Sequence, residues 1–437
     1  MQRLKIGAAT AAYQVEGAGD GRGPCIWDTF AARPGAVLDG SDGSVACDSF
    51  HRWPEDVALL TELGADAYRF SVSWPRVQPT GSGPVAAEGL AYYDRLVDAL
   101  LERGITPMPT LYHWDLPQPL EDAGGWPERD TALRFADYAA AVHARLGDRV
   151  SRFATMNEPW CSAFLGYGSG VHAPGVQDGA AAFRAAHHLL LGHALAARAM
   201  PGADVGIVCN LYPVLTEGPG HEPAARVVDE IQNGLWLDAL AHGRYPDAVP
   251  AAPEHAEDLA LVRGSAAWFG VNYYTVLRVG EPRPDSGPDQ ASYPGAGDFG
   301  FHPRAPLTTM GWEVVPDGLE QVLARAAAAL PGVPIWVTEN GAAYPDADRL
   351  PDGTVDDRDR VDYLRGHLAA VERAREGGAP VEGYLAWTLL DNYEWAYGYT
   401  QTFGIVEVDR ETRDRRPKAS FRWLAEHLAA QRAGDTA

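Results

Sequence analysis

The chain has 437 residues, of which 46% are hydrophobic, with 13 Trp, 18 Tyr and 12 Phe. That is ample for a large core and for aromatic walls around a ligand, and it excludes a disordered chain. A formal charge of −23, from 59 acidic against 36 basic residues, repels phosphate backbones and anionic membranes, so no nucleic acid and no membrane partner is expected. The four cysteines, Cys25, Cys47, Cys161 and Cys209, form no CxxC pair and have no His at zinc-ligand spacing. They read as reduced, mostly buried thiols, with no metal site. The N-terminus lacks a long apolar run, and no stretch is long enough to span a bilayer, so a cytoplasmic protein is expected.

In chain order, short apolar runs alternate with stretches of helical periodicity. A strand at 4–10 precedes a helix at 54–63, which Pro54 followed by Glu55 and Asp56 would open. Strands at 66–72, 105–111, 152–157 and 204–210 are followed by helices at 88–102, 131–146, 179–199 and 223–241. Strands at 268–274, 334–339 and 383–389 are followed by helices at 316–330, 358–375 and a last helical stretch, "RPKASFRWLAEHLAAQ". Eight such units predict an α/β fold: a single (β/α)8 TIM barrel with extended βα loops, one catalytic domain over 1–437. A doubly wound sheet is the competing architecture, yet neither GxGxxG nor GxxxxGK[ST] occurs. The segments 281–306 and 345–359 read as rim loops, the second as an acidic, solvated face.

In a parallel barrel every strand points its C-terminal end at one rim, so polar residues distant in sequence meet there. The first strand is followed by Gln14 and Glu16, and the second carries Arg69. The third leads to His113 and Trp114, the fourth to Asn157 and Glu158, and the sixth to Asn272 and Tyr274. The seventh ends in Glu339, and the eighth delivers Trp387, then Glu394 and Trp395. Flat aromatic faces suit the C–H surface of a sugar, and Gln, Asn, His and Glu bind hydroxyls, so the expected ligand is a carbohydrate.

Two carboxyls flanking a glycosidic bond are the minimum for its hydrolysis, and Glu158 and Glu339 are the natural pair. A separation of about 5 to 5.5 Å leaves no room for a water between them and gives retention through a covalent intermediate. Arg69 and Tyr274, on reaching Glu339, would keep it ionised. Glu158 is the better proton donor, its pKa raised by burial and by the charge of Glu339. Other conspicuous residues have plainer readings. His187, His188 and His193 lie on an Ala- and Leu-rich helix without a carboxylate on the same turn and are not expected to bind metal. Trp53, Trp236 and Trp268 read as core, and Glu16 and Asp115 as structural hydrogen-bonding groups.

The chain resembles the β-glucosidases of glycoside hydrolase family 1. The matching pieces are "GAATAAYQVEGA" (7–18), "YRFSVSWPRVQPTG" (68–81), "LYHWDLPQPLEDAGGW" (111–126), "NEPW" (157–160), "GVNYYT" (270–275), "TENG" (338–341) and "LLDNYEWAYGY" (389–399), in family order. The resemblance implies a (β/α)8 barrel without cofactors, Glu158 as acid/base and Glu339 as nucleophile. It implies that Gln14, His113, Trp114, Asn157, Glu394 and Trp395 contact substrate, with Trp387 as the platform beneath the sugar. Arg69, Asn272 and Tyr274 match supporting positions, Trp312 an aglycone wall, and Phe403 the pocket edge.

Glu394 would repel a 6-phosphate, which favours a non-phosphorylated sugar. Glu158, where plant thioglucosidases have Gln, favours an O-glycoside. The chain departs from the family's pattern at Leu4 and Ile6, at Thr388 after Trp387, at Thr402 before Phe403, and at Glu407, where an aromatic residue is usual. The expectation is a retaining exo-β-glucosidase acting on β-glycosides and short β-linked oligosaccharides such as cellobiose, with β-fucosides and β-galactosides tolerated. A transglycosidase and a non-catalytic sugar-binding barrel are the alternatives.

Overall fold

The computed structural model describes residues 2–19, 21–250 and 255–435. Eight parallel strands close into a barrel: β1 (Lys5–Ala9), β2 (Ala67–Ser71), β3 (Thr106–Tyr112), β4 (Arg152–Asn157), β5 (Asp204–Asn210), β6 (Trp268–Asn272), β7 (Ile335–Asn340) and β8 (Val381–Trp387). Closure comes from β1 pairing with both β2 and β8. All eight predicted strands are present.

The strands alternate between two cores, as a period of two requires. Ala67, Met108, Ala154, Trp268, Trp336 and Leu385 cluster in the lumen, whereas Tyr68, Phe70, Phe153, Val271 and Val337 belong to the larger core beneath the helices. Two lumen Trp residues among smaller side chains fill the barrel, so it is packed rather than hollow. Trp268 is therefore core, as expected.

The outer layer comprises α1 (Ser49–Leu63), α2 (Ala87–Glu102), α3 (Arg129–Leu146), α4 (Gly179–Ala199), α5 (Glu222–His242, with a π-helical turn at Glu230–Gly234), α6 (Pro316–Ala329), α7 (Arg358–Glu376) and α8 (Ala419–Asp435). Asp178 caps α4 by accepting from the Ala180 amide at 2.8 Å. Pro54 does not open α1, which begins five residues earlier at Ser49, so the proline lies inside the helix. Past the first turn, proline costs a helix one amide donor, here the one that would reach the Phe50 carbonyl. Among the described residues, no helix is long and apolar enough to cross a membrane.

The predicted rim loops carry structure of their own. Val214–Thr216, Leu277–Gly280 and Gly300–Phe301 form a small sheet, and the acidic segment is not simply a solvated face. Asp346 pairs with Lys418 at 2.6 Å, and Asp357 with Arg360 and with the Ser420 hydroxyl at 2.5 Å.

Candidate active site

Two strands break their alternation just before the rim. In β4, Thr155 bonds His193 of α4 at 2.8 Å and the next residue, Met156, also packs on α4 near Gly192. Two successive outward residues, with a register shift between Ala154 and Asn157, turn Asn157 and Glu158 together toward the axis. In β7 the shift falls between Val337 and Glu339, so that Thr338 and Glu339 both face inward. Gly341 follows because a Cβ there would lie 1.7 Å from the Trp387 carbonyl oxygen.

The inward groups form one hydrogen-bonded chain. Arg69 donates to Glu339 Oε1 at 2.6 Å, to Asn157 Oδ1 at 2.6 Å and to Thr110 Oγ1 at 2.9 Å. Tyr274 donates to Glu339 Oε2 at 2.7 Å. Asn272 donates to Asn157 Oδ1 at 3.0 Å and to Glu158 Oε1 at 2.8 Å, while its own oxygen accepts from Thr338 at 2.7 Å. Glu339 and Glu158 are thus linked through Arg69, Asn157 and Asn272, and all five are buried.

The carboxyls differ in what opposes their burial. Burial pushes Glu158 up to about 8, reinforced by the charge of Glu339 and only partly countered by Asn272, Cys161 and the more distant Arg69. Burial also raises Glu339, but a guanidinium and a phenol donate directly to it. A proton shared by the pair therefore resides on Glu158. Half-buried Glu394 is likewise pushed up to about 8, by burial and then by the charges of Glu339 and Glu158. Of these three carboxyls, only Glu339 is paired with a guanidinium.

Around this chain stand groups with capacity left over. Gln14 spends its amide N–H on Tyr393 O (2.8 Å) and Asn392 Oδ1 (3.2 Å), leaving Oε1 buried without a partner among the described residues. His113 Nε2 accepts from Asn157 Nδ2 at 2.9 Å, which puts its proton on Nδ1, also buried without a partner there. Burial, then Arg69, lowers its pKa well below the usual value and keeps the ring neutral. Trp387 and Trp395 lie roughly parallel to His113, with ring centroids 5.8 and 6.0 Å away. Trp395 also stacks on Tyr13 at 5.9 Å and 9°. Trp114 is committed differently: its indole N–H donates to the Asn157 carbonyl at 2.9 Å, so it offers a ring face and no donor. Tyr274, Trp312 and Phe403 make an aromatic corner, with centroids 5.2 to 6.2 Å apart.

Trp114 (φ 74°), Glu158 (φ 44°) and Trp395 (φ 46°) adopt left-handed backbone, which non-glycine residues hold only when their surroundings impose it. Two side chains were missed by sequence reasoning. Cys161 Sγ lies 3.1 Å from Glu158 Oε2, and Asn210, at the end of β5, lies 3.7 Å from that sulfur. The fifth strand ended in Asn210 like the others, and that was the available signal.

The plainer readings bear out for the most part. Glu16 is held by Arg76 at 2.9 Å and Tyr93 at 2.8 Å. The histidines of α4 are engaged, His187 by Asp258 and Tyr245, His188 by the Trp126 carbonyl and His193 by Thr155. All four cysteines are free and buried. Asp115 fits less fully: no partner lies in good hydrogen-bond geometry to either buried oxygen among the described residues, and burial raises its carboxyl to about 8 against the pull of the Ser73 hydroxyl. At that pKa it is largely neutral, which reduces the desolvation cost.

A closed parallel barrel whose rim joins two buried carboxyls beside Trp faces has the design of a glycoside hydrolase. The chain belongs to glycosyl hydrolase family 1, whose pattern matches residues 3–433. It is 47% identical to a bifunctional β-D-glucosidase/β-D-fucosidase of Bifidobacterium breve, over 97% of each chain. It is 48% identical to thermostable β-glucosidase B of Thermobispora bispora, over 95% of this chain and 88% of the relative. The β-glucosidase of Thermotoga maritima in complex with deoxynojirimycin superposes with a TM-score of 0.91 at 39% identity, covering 99% of this chain and 98% of that one.

Proposed function

We propose that the protein is a retaining exo-β-glucosidase that cleaves non-phosphorylated β-D-glucosides and tolerates β-fucosides and β-galactosides. The observation that carries this reading is the unequal provision of the two carboxyls: Glu339 receives a cation and a phenol, Glu158 an amide and a thiol. Glu339, the ionised partner, attacks the anomeric carbon, and Glu158 protonates the departing oxygen. Once Glu339 is an ester its charge is gone, the pKa of Glu158 falls, and Glu158 takes the proton of the incoming water.

Gln14 Oε1 and His113 Nδ1 are an acceptor and a donor ready for sugar hydroxyls, and Asn157 and Glu394 complete the polar wall. Trp387 supplies the floor, Trp395 and Trp114 the side, and Trp312 with Phe403 the aglycone corner. Glu394 bridging the 4- and 6-hydroxyls would set how strictly gluco is preferred, and the named activity of the Bifidobacterium relative supports fucoside tolerance. Residues 1–437 are read as one catalytic domain, acting on cellobiose and short β-linked oligosaccharides. Four free buried thiols suit a reducing cytoplasm.

Replacing Glu339 by Ala is expected to reduce turnover of an aryl β-glucoside by roughly 10⁴-fold or more. Added azide or formate should restore part of it, azide giving the α-glucosyl azide because it enters from the face Glu339 vacates. Undiminished activity without the anion would remove Glu339 from the mechanism.

A further inference from the structure

Glu158 must present one oxygen to the glycosidic bond, and its neighbours decide which. Oε1 accepts from Asn272 Nδ2 at 2.8 Å. The Asn272 amide cannot be reversed without loss, because its oxygen accepts from Thr338 and its nitrogen also donates to Asn157 Oδ1. Oε1 is therefore locked as an acceptor, and the transferable proton belongs on Oε2. The only hydrogen bond recorded to Oε2 among the described residues is from Cys161 Sγ, at 3.1 Å.

A thiol can donate or accept, and Asn210 biases the choice. Its Nδ2 lies 3.7 Å from the sulfur, within reach for a weak N–H to sulfur bond. The backbone carbonyl of Asn210 accepts from Gln232 Nε2 at 2.8 Å, and Gln232 accepts from the Tyr293 hydroxyl at 2.6 Å, which fixes the Asn210 main chain beside the sulfur. With the sulfur engaged as acceptor on that side, its own proton is directed at Oε2. Burial and the charge of Glu158 keep Cys161 a thiol, able to donate.

We infer that Cys161, oriented by Asn210, is a positioning residue that aims Oε2 of Glu158 at the leaving group. This rests on the reading of Glu158 as the acid/base. The choice of sulfur matters. A hydroxyl would donate strongly to the carboxylate, lower its pKa and leave less of it protonated at neutral pH; a methyl would not hold it, and a thiol orients it with little change in pKa.

The test compares Cys161→Ser and Cys161→Val with the unaltered enzyme in kcat/KM against pH. The basic limb reports the acid of the free enzyme. It should move down by about half a unit in the Ser variant and up by about half a unit in the Val variant. With the Val variant, kcat/KM for an alkyl β-glucoside should fall by about threefold to tenfold, a loss that shrinks as the leaving group becomes more acidic toward 2,4-dinitrophenol. A basic limb that stays put in both variants, or an equal loss on every leaving group, overturns the inference. If the Val variant does not fold, the direction of the Ser shift decides alone. Glu158→Ala is measured in parallel. A steep leaving-group dependence there, without one in the Val variant, refutes only the role of Cys161. A flat dependence in Glu158→Ala refutes Glu158 as the acid.

Discussion

Two buried charge clusters use the same residue types to opposite ends. At the rim, Glu158, Glu339 and Glu394 raise one another by charge, only Glu339 is paired with a guanidinium, that of Arg69, and Glu158 and Glu394 are pushed up to about 8. Behind the barrel mouth, Asp346, Asp357 and Asp391 meet two cations, Lys418 and Arg360. Lys418 binds Asp346 at 2.6 Å and Asp391 at 2.8 Å; Asp391 also accepts from the Gly404 amide, and Arg360 donates to the Thr402 carbonyl at 2.6 Å. This second cluster clasps the segment that carries Phe403 to the start of α8. Near-balance of charge makes a tie, whereas a deficit of cations leaves Glu158 and Glu394 largely protonated at neutral pH.

Arg69→Met should produce the larger failure. It strips Glu339 of its cation and leaves Asn157 with one donor fewer, so kcat/KM on an aryl β-glucoside should fall by about 10²- to 10³-fold. The pH profile should change in a specific way. In the unaltered enzyme activity should be lost as pH rises through about 8, where Glu158 gives up its proton. Without Arg69 the pKa of Glu339 rises, the acidic limb moves up toward that basic limb, and the bell narrows. A profile of unchanged width would separate Arg69 from the ionisation of Glu339.

The clasp should fail in stability rather than in rate. Lys418→Met leaves Asp346 and Asp391 facing each other without their shared cation, at a cost of about 3 kcal/mol. Tm in calorimetry should drop by several degrees, while kcat/KM for a small aryl glucoside should change by less than about threefold. A large loss of rate at unchanged Tm would erase the distinction between the two clusters.

The difference between the clusters also explains what could be read from the chain. Strands and rim residues were legible because apolar runs ending in Arg69, Asn157, Asn272 or Glu339 repeat one pattern that parallel topology converts into one place. The register shifts in β4 and β7 were not, since nothing local distinguishes Thr155-Met156 or Thr338-Glu339 from regular alternation. Cys161 and Asn210 escaped because their roles depend on a π-helical turn, Cys161–Gly168, that brings the thiol back over Glu158. The acidic stretch was misread for a related reason: Asp346 finds Lys418, and Asp357 the Ser420 hydroxyl, more than sixty residues away, and only tertiary structure brings those together.

The smallest effect is expected at Glu407, on the strand that precedes Lys418. Arg349 grips it with two hydrogen bonds, at 2.6 and 2.9 Å, joining the acidic loop to the strand Val406–Val408. The Arg349 side chain is 41% exposed, so water and salt screen the pair, and Arg349→Ala should cost less than about 1 kcal/mol. The sign of its pH dependence follows from Glu407, whose pKa is lowered chiefly by the hydrogen bonds from Arg349. The contribution is present at neutral pH and is lost as pH falls through the depressed folded pKa. Denaturant midpoints of the two proteins should therefore converge in acid and in about 1 M salt. KM for cello-oligosaccharides should shift while KM for the shorter aryl glucoside stays put if the pair shapes the outer rim; equal shifts in both would mean that the loop acts on the sugar pocket itself.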